Sequence, residues 1–400
     1  MEIDEILKLS NMAKESGQKF KKKRFFMNYL NTIMEKDRFI GIVGPRGVGK
    51  TVILKQLLKK VEDSFYISLD TYTDKNLFDV IINLHRRFKV NLFLLDEVHF
   101  YLDFSSLLKK LYDFTNEIRI IFTSSVSLIF SVLNKDLSRR IKLSNLYPFD
   151  FKEYLFFTKD INLPYLSFKD IVDGNWGKEY LGFNDDFKNY ILGELYPFSM
   201  EVSNIIDNLK NVLDRVIKED IASIHTLSLR DLQDITDLLS FIGKSPIDGI
   251  NYSSLSQNIG ITKYKAKQYV EILEKAFILN YIMPTGTNIK KESKIVMTLP
   301  FRLLYSNYND AIGGLREDFA VQILKMKGLE FNYLKSNRGE KRPDYLVKKG
   351  NDRFIIEIGG KNKGYKQFKG IDSKKFRKVI FSQNSDLKRN IPLYLLGFLK

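Results

Sequence analysis

The segment Gly44-Pro45-Arg46-Gly47-Val48-Gly49-Lys50-Thr51 has the spacing G-x-x-x-x-G-K-[ST], a pattern suited to wrapping phosphates. Glycines let the backbone curl so that successive N–H groups point into one concavity. A helix that begins at the loop aims its positive dipole end at the same place. Lys50 is placed to reach the β- and γ-phosphates, and the Thr51 hydroxyl to ligate Mg²⁺. ATP and Mg²⁺ are the cofactors expected on residues 44–51.

Farther on, Leu92-Phe93-Leu94-Leu95-Asp96-Glu97 is an apolar run ending in two carboxylates, the pattern that accompanies such a loop. Asp96 is the expected holder of the metal shell, and Glu97 the group that orients and polarises the attacking water. Two adjacent carboxylates at a buried strand end are costly unless a cation offsets them. Thr123, in Thr123-Ser124-Ser125, follows another apolar run and is placed to sense the γ-phosphate. Arg140, in Leu137-Ser138-Arg139-Arg140, is a candidate finger acting on a neighbouring subunit's nucleotide. The plain alternatives are turn residues and a surface arginine pair.

These groups need a scaffold. Short apolar strands are expected at 38–43, 65–69, 91–95, 119–122 and 141–146, alternating with helical stretches. Strands so short and so apolar fit a parallel sheet covered on both faces. Residues 150–230 lose that alternation and read as mainly helical. A helix at 232–242, a short helix at 253–259 ending on Gly260, and a longer helix capped by Thr262 precede an apolar strand at 278–283. That order describes a winged helix-turn-helix. After it come a helix at 315–327 and strands at 331–335, 345–348, 354–358, 378–382 and 394–398.

Four hundred residues imply several domains, and 44% hydrophobic against 28% charged residues excludes wholesale disorder. With no cysteine and only His85, His99 and His225, thiolate catalysis and Cys/His zinc sites are excluded, so any metal must be held by oxygens. The acidic start is unlike a signal peptide. No apolar run approaches the roughly 18 residues of a membrane span. A soluble, cytoplasmic protein is expected. The net charge of +16 is unevenly spread: residues 287–400 carry 25 Lys+Arg against 11 Asp+Glu. Such a segment suits a nucleic-acid partner, with DNA favoured; the alternative is a lysine-rich surface that aids solubility.

The phosphate loop, the Asp96-Glu97 pair, the Thr-Ser-Ser segment and the stretch Arg140…Tyr147-Pro148-Phe149-Asp150-Phe151-Lys152-Glu153-Tyr154 together resemble an archaeal/bacterial family of AAA+-type ATPases. Arg140 matches the family's arginine by its spacing to Pro148. Arg139 stands where the family has glycine, and Phe-Asp where it has Leu-Ser. The resemblance implies a fusion of ATPase, winged helix and a C-terminal domain similar to the PD-(D/E)XK nucleases. In the last, Glu317, Asp344 and Glu357 would converge on one divalent metal. Gly359 stands where such nucleases carry lysine, so Lys361 would have to reach in instead. The expected fold is α/β: a P-loop NTPase parallel sheet (1–154) with a helical lid (155–230), a winged helix-turn-helix (231–286) and a basic restriction-endonuclease-like α/β domain (287–400). The expected function is an ATPase acting as a motor or switch on nucleic acid, as a homo-oligomer or with a protein partner. The alternative is a signalling ATPase whose later modules bind proteins only.

Overall fold

The computed structural model describes residues 3–72, 76–126, 139–223, 226–246, 249–286, 293–334, 342–360, 364–383 and 390–400. The chain divides into two compact units. One comprises Met1–Pro148 and Asp214–Thr226, the other Phe149–Leu213 and Leu227–Lys400.

The first unit is built on five parallel strands: β1 (Phe39–Val43), β2 (Ser64–Ser68), β3 (Leu92–Asp96), β4 (Arg119–Ser124) and β5 (Ile141–Asn145). Their order across the sheet is β2-β3-β4-β1-β5. All five lie within two residues of the positions read from sequence. Every residue of β1 and β3 is buried, as expected of strands covered on both faces. Phe39 pairs in register with Ile120 on one side and Ile141 on the other, so β1 lies between β4 and β5, and the chain crosses from β1 to the edge strand β2 and returns through β3 and β4. Open parallel sheets bind ligands in the crevice outside the carboxyl ends of their strands. The helices Leu77–Phe88 and Phe104–Phe114 lay Leu77, Ile81, Leu84, Leu107, Leu108 and Leu111 against this sheet.

In the second unit, the helices Leu229–Lys244, Tyr252–Ile259 and Lys263–Lys275 precede an antiparallel pair, β6 (Leu279–Ile282) with β7 (Lys294–Met297). The local signals act as the sequence implies. Gly260 ends the middle helix in the left-handed region, and the Thr262 hydroxyl accepts from the Lys265 N–H to start the next. A second sheet runs in the order β12-β11-β10-β9-β8, from β8 (Glu330–Tyr333), β9 (Tyr345–Lys349), β10 (Asp352–Gly359), β11 (Arg377–Ser382) and β12 (Ile391–Pro392). The helix Tyr308–Met326 packs against β10.

One expectation fails. Residues 394–398 are not a strand; Leu393–Phe398 is a tight 3₁₀ turn of helix with every residue buried. A short run that is apolar on all sides carries no periodicity to separate strand from helix. Burial from every direction decides the matter here: Tyr394 and Phe398 join Phe151, Phe183 and Phe187 in one aromatic cluster. Among the described residues no helix is long and apolar enough to cross a membrane.

Candidate active site

The phosphate loop links β1 to the helix Lys50–Lys60. Gly47 and Gly49 have φ of 83° and 90°, a region that side-chain-bearing residues rarely occupy. The loop is fixed from outside by Arg24, whose Nη1 donates to Val48 O at 2.6 Å and Nη2 to Tyr147 O at 2.9 Å. Lys50 is 4% exposed. Its ammonium lies over the loop, donating to the carbonyls of Gly44 at 2.8 Å and Pro45 at 3.0 Å. Burial lowers its proton affinity, while Glu97 and Asp96 work to raise it.

Asp96 ends β3, held by two hydroxyls. Tyr66 donates to Oδ2 at 2.7 Å, and Thr123 donates to Oδ1. Burial, reinforced by Asp96, raises the Tyr66 phenol far above its ordinary value, so it remains a donor. Thr123 also accepts the Glu97 N–H at 3.0 Å. Strand β4 lies between β1 and β3, and this is how Thr123, next to its end, comes to bridge the Asp96 carboxylate and the Glu97 backbone. Glu97 itself sits at φ 50°, ψ 51°. Burial raises its carboxyl above the usual range, Lys50 opposes that and Asp96 adds to it.

Three residues that the sequence reading did not assign complete the site. His99 is buried, its Nδ1 3.5 Å from Glu97 Oε2 and its Nε2 3.3 Å from Asp220 Oδ1. Ser125 Oγ donates to Asp220 Oδ2 at 2.6 Å. Arg46, expected at the nucleotide, turns its guanidinium onto Asp220, with Nε 2.8 Å from Oδ2 and Nη2 on Oδ1. Burial acts to raise the Asp220 carboxyl, but Arg46, His99 and Ser125 hold it well below the usual carboxylate range. The one local hint was a histidine amid apolar neighbours, Val98-His99-Phe100.

Arg140 lies elsewhere. It precedes β5, whose first residue Ile141 is level with Phe39 at the start of β1. The phosphate loop follows the other end of β1, so Arg140 does not reach the phosphate site of its own chain. It pairs with Asp113 at 2.8 Å and stacks over the Tyr112 ring, 4.5 Å from its centroid.

The donors near the loop suit Mg²⁺ with ATP. The Thr51 hydroxyl and the Asp96 carboxylate are hard oxygen ligands. Glu97 Oε2 is buried and makes no hydrogen bond among the described residues, with His99 Nδ1 3.5 Å away.

Residues 36–155 match the model of a family described as a AAA domain. This portion of the chain is similar to P-loop ATPase domains of the AAA type. Residues 184–298 match a second family, described as a domain of unknown function, DUF8612. Over 408 residues the chain is 28% identical to the uncharacterized protein MJ1637 of Methanocaldococcus jannaschii, covering 91% of this chain and 85% of that one. Among solved structures it is similar to the Walker-type ATPase PABY2304 of Pyrococcus abyssi (TM-score 0.44, 14% identity, 69% of this chain and 93% of that one). It is also similar to the Thermotoga maritima RuvB Holliday junction branch migration motor (TM-score 0.27, 12% identity, 74% and 92%).

In the second unit, Glu317, Asp344 and Glu357 are electrostatically close. Burial pushes the Asp344 carboxyl well above its ordinary value, and Glu317 and Glu357 push it further. Yet the Glu317 carboxylate is already engaged by the Lys294 ammonium and the Tyr345 hydroxyl, and Asp344 accepts the Ile358 N–H at 2.7 Å. Among the described residues no group of three or more His, Cys, Asp or Glu is arranged to hold a metal ion. Lys361 lies outside the described residues. On the helix Lys263–Lys275, Lys265 bonds Asp234 at 2.8 Å and Asp231 at 3.1 Å, and Lys263 bonds Ser253.

Proposed function

We propose that the chain is a Mg²⁺-dependent ATPase in which nucleotide hydrolysis drives a switch or motor on nucleic acid. The carrying observation is the convergence of Lys50, Asp96, Glu97 and Thr123 at the carboxyl edge of one parallel sheet. Lys50 binds and offsets phosphate charge. Glu97 accepts a proton from the attacking water, and Thr123 fixes the backbone that presents it. Thr51 and Asp96 would hold magnesium, which supplies compensation for charge on the transferring phosphoryl group. An oligomer in which Arg140 serves a neighbouring copy's nucleotide fits its position away from its own.

The nucleic-acid half of the reading draws on the loop between β10 and β11. Lys366, Lys369, Lys374 and Lys375 are exposed there, beside Tyr365 at 52% exposure. Cations with an accessible ring are the elements of a surface that tracks a phosphate backbone and stacks a base. On this reading the carboxylates near Lys294 belong to a nuclease-like domain that binds without cutting. The internal pairing of Lys265 favours the second reading, in which the helix-turn-helix packs against protein and DNA plays no part.

Two measurements test this. Lys50→Ala is expected to lose ATP binding, and Glu97→Gln to keep binding while hydrolysis slows by roughly 10²–10⁴-fold. Wild-type hydrolysis by both variants would refute the site. DNA is expected to stimulate the wild-type ATPase, with affinity falling steeply as salt rises. Reversing the four loop lysines to glutamate should reduce the salt slope by about one for each phosphate that is no longer neutralised. Hydrolysis indifferent to DNA would favour the protein-binding alternative.

A further inference from the structure

Asp220 stands outside the stretch that matches the AAA domain, on the π-helical turn Val216–Ile221. Its side chain is fully buried. A carboxylate in that position is strongly destabilising unless it is paired and its oxygens are hydrogen-bonded. Here both oxygens are engaged. Arg46 grips them in the two-pronged geometry that guanidinium suits, Ser125 donates to Oδ2, and His99 approaches Oδ1.

The origin of these partners is the informative feature. Arg46 belongs to the phosphate loop, Ser125 follows β4 just beyond Thr123, and His99 is two residues past Glu97. Each is an extension of a motif that contacts nucleotide, and Asp220 joins all three. His99 is held at one nitrogen, and its other nitrogen lies 3.5 Å from Glu97 Oε2, within ion-pair range though without a hydrogen bond. The contacts therefore run continuously from Arg46 through Asp220 and His99 to the carboxylate that activates water. The chain enters and leaves Asp214–Thr226 from the second unit at both ends, so this segment is covalently continuous with that unit.

We propose that Asp220 is a positioning residue for ATP hydrolysis: through His99 it orients Glu97, through Arg46 it sets the phosphate loop, and hydrolysis requires Asp214–Thr226 to be seated in the first unit. This rests on the reading of Glu97 as the hydrolytic base. Both Asp220 oxygens are taken up by Arg46, His99 and Ser125, so it acts through these partners.

The test uses the full chain, with ATP affinity from titration of a fluorescent ATP analogue and the hydrolysis step from single-turnover phosphate release. Asp220→Ala should slow hydrolysis by roughly 10–100-fold, the range for groups that orient a catalytic residue, and should change ATP affinity far less. His99→Ala should also slow hydrolysis, and in that background Asp220→Ala should add less than it does alone, because the two share the path through His99 while only Asp220 also acts through Arg46. Asp220→Asn, which keeps the size and one acceptor, should fall between wild type and Asp220→Ala. Thermal melting checks folding; if Asp220→Ala does not fold, Asp220→Asn alone and with His99→Ala carries the same comparison. Hydrolysis at the wild-type rate in the Asp220 variants overturns the proposal. So does a loss that multiplies fully with that of His99→Ala, or a loss confined to ATP affinity. Glu97→Gln is run alongside. If it hydrolyses like wild type, the reading of Glu97 fails on its own account, whatever Asp220 does; if wild type itself does not hydrolyse ATP, both fall.

Discussion

Gly44 and Leu146 meet backbone to backbone: a β-carbon on Gly44 would collide with the Leu146 carbonyl oxygen. Leu146 follows β5, and its N–H is bonded to Val43 O at 2.7 Å, so neither side of this contact can retreat as a flexible side chain would. The first glycine of the loop is thus required by close approach, whereas Gly49 is required by its backbone angle, since a β-carbon there would meet open space.

Gly44→Ala is therefore expected to push the loop away from β5 and cost about 1–3 kcal/mol, the range for overpacking. ATP affinity should fall with it. Gly49→Ala should cost about 1–2 kcal/mol through backbone strain alone. Denaturant unfolding with and without ATP separates the two. Equal stability of Gly44→Ala and wild type would show that the strand end yields.

Thr123 provides a sharper probe, because its hydroxyl donates to Asp96 and accepts from the Glu97 N–H. Thr123→Val keeps the shape and removes both bonds, leaving a buried carboxylate oxygen and a backbone donor unsatisfied. A stability loss of about 1–3 kcal/mol is expected, with slowed hydrolysis, while Thr123→Ser should retain most activity. Rates from phosphate release on the two variants check this. Similar rates for valine and serine would remove Thr123 from the machinery.

Much of this site was legible in the sequence because phosphate chemistry dictates local residue types. The loop must bring glycines, Lys50 and Thr51 together within eight residues, and the β3 carboxylates must follow an apolar strand. The departure at Phe149-Asp150 was also readable: Asp150 Oδ1 accepts the Glu153 N–H at 2.8 Å, the capping task a serine would perform there. Asp220 was not legible. It lies 174 residues from Arg46, and no local pattern marks one aspartate as the partner of a distant arginine. Lys294 escaped for a related reason, since pairing β6 with β7 is what brings it to Glu317.

At Lys294, the ammonium bonded to Glu317 places positive charge beside the buried Asp344. Removing it leaves Glu317, Asp344 and Glu357 without that compensation, so a divalent cation should bind more readily. Lys294→Ala is expected to gain Mn²⁺-dependent thermal stabilisation that wild type lacks. The gain should disappear in Lys294→Ala combined with Asp344→Asn. Equal Mn²⁺ shifts in wild type and Lys294→Ala would show that the lysine does not exclude the ion.

Arg302 gives the last prediction. It is 2% exposed and bonds the fully buried Asp318 through Nε at 2.7 Å and Nη2 at 3.0 Å. Its Nη1 also donates to Ile242 O at 3.0 Å, so one side chain ties the helix Tyr308–Met326 to the end of Leu229–Lys244. Arg302→Met removes the cation and strands the carboxylate, which should cost about 3–5 kcal/mol by urea unfolding at neutral pH. The pH dependence has a definite sign. Burial pushes the Asp318 carboxyl up to about 6, with Arg302 pulling it down. A raised carboxyl contributes its stability below its unfolded value and loses it as pH rises through about 6. Without Arg302 the value moves higher still, so the electrostatic part of the variant's cost is greatest above pH 6 and shrinks in acid, as both proteins protonate Asp318. Unfolding curves between pH 4 and pH 8, on the order of two units either side of that midpoint, should show the gap between wild type and Arg302→Met narrowing toward acid. A gap that stays constant with pH would mean that the arginine contributes by packing and carbonyl bonds rather than by its charge on Asp318.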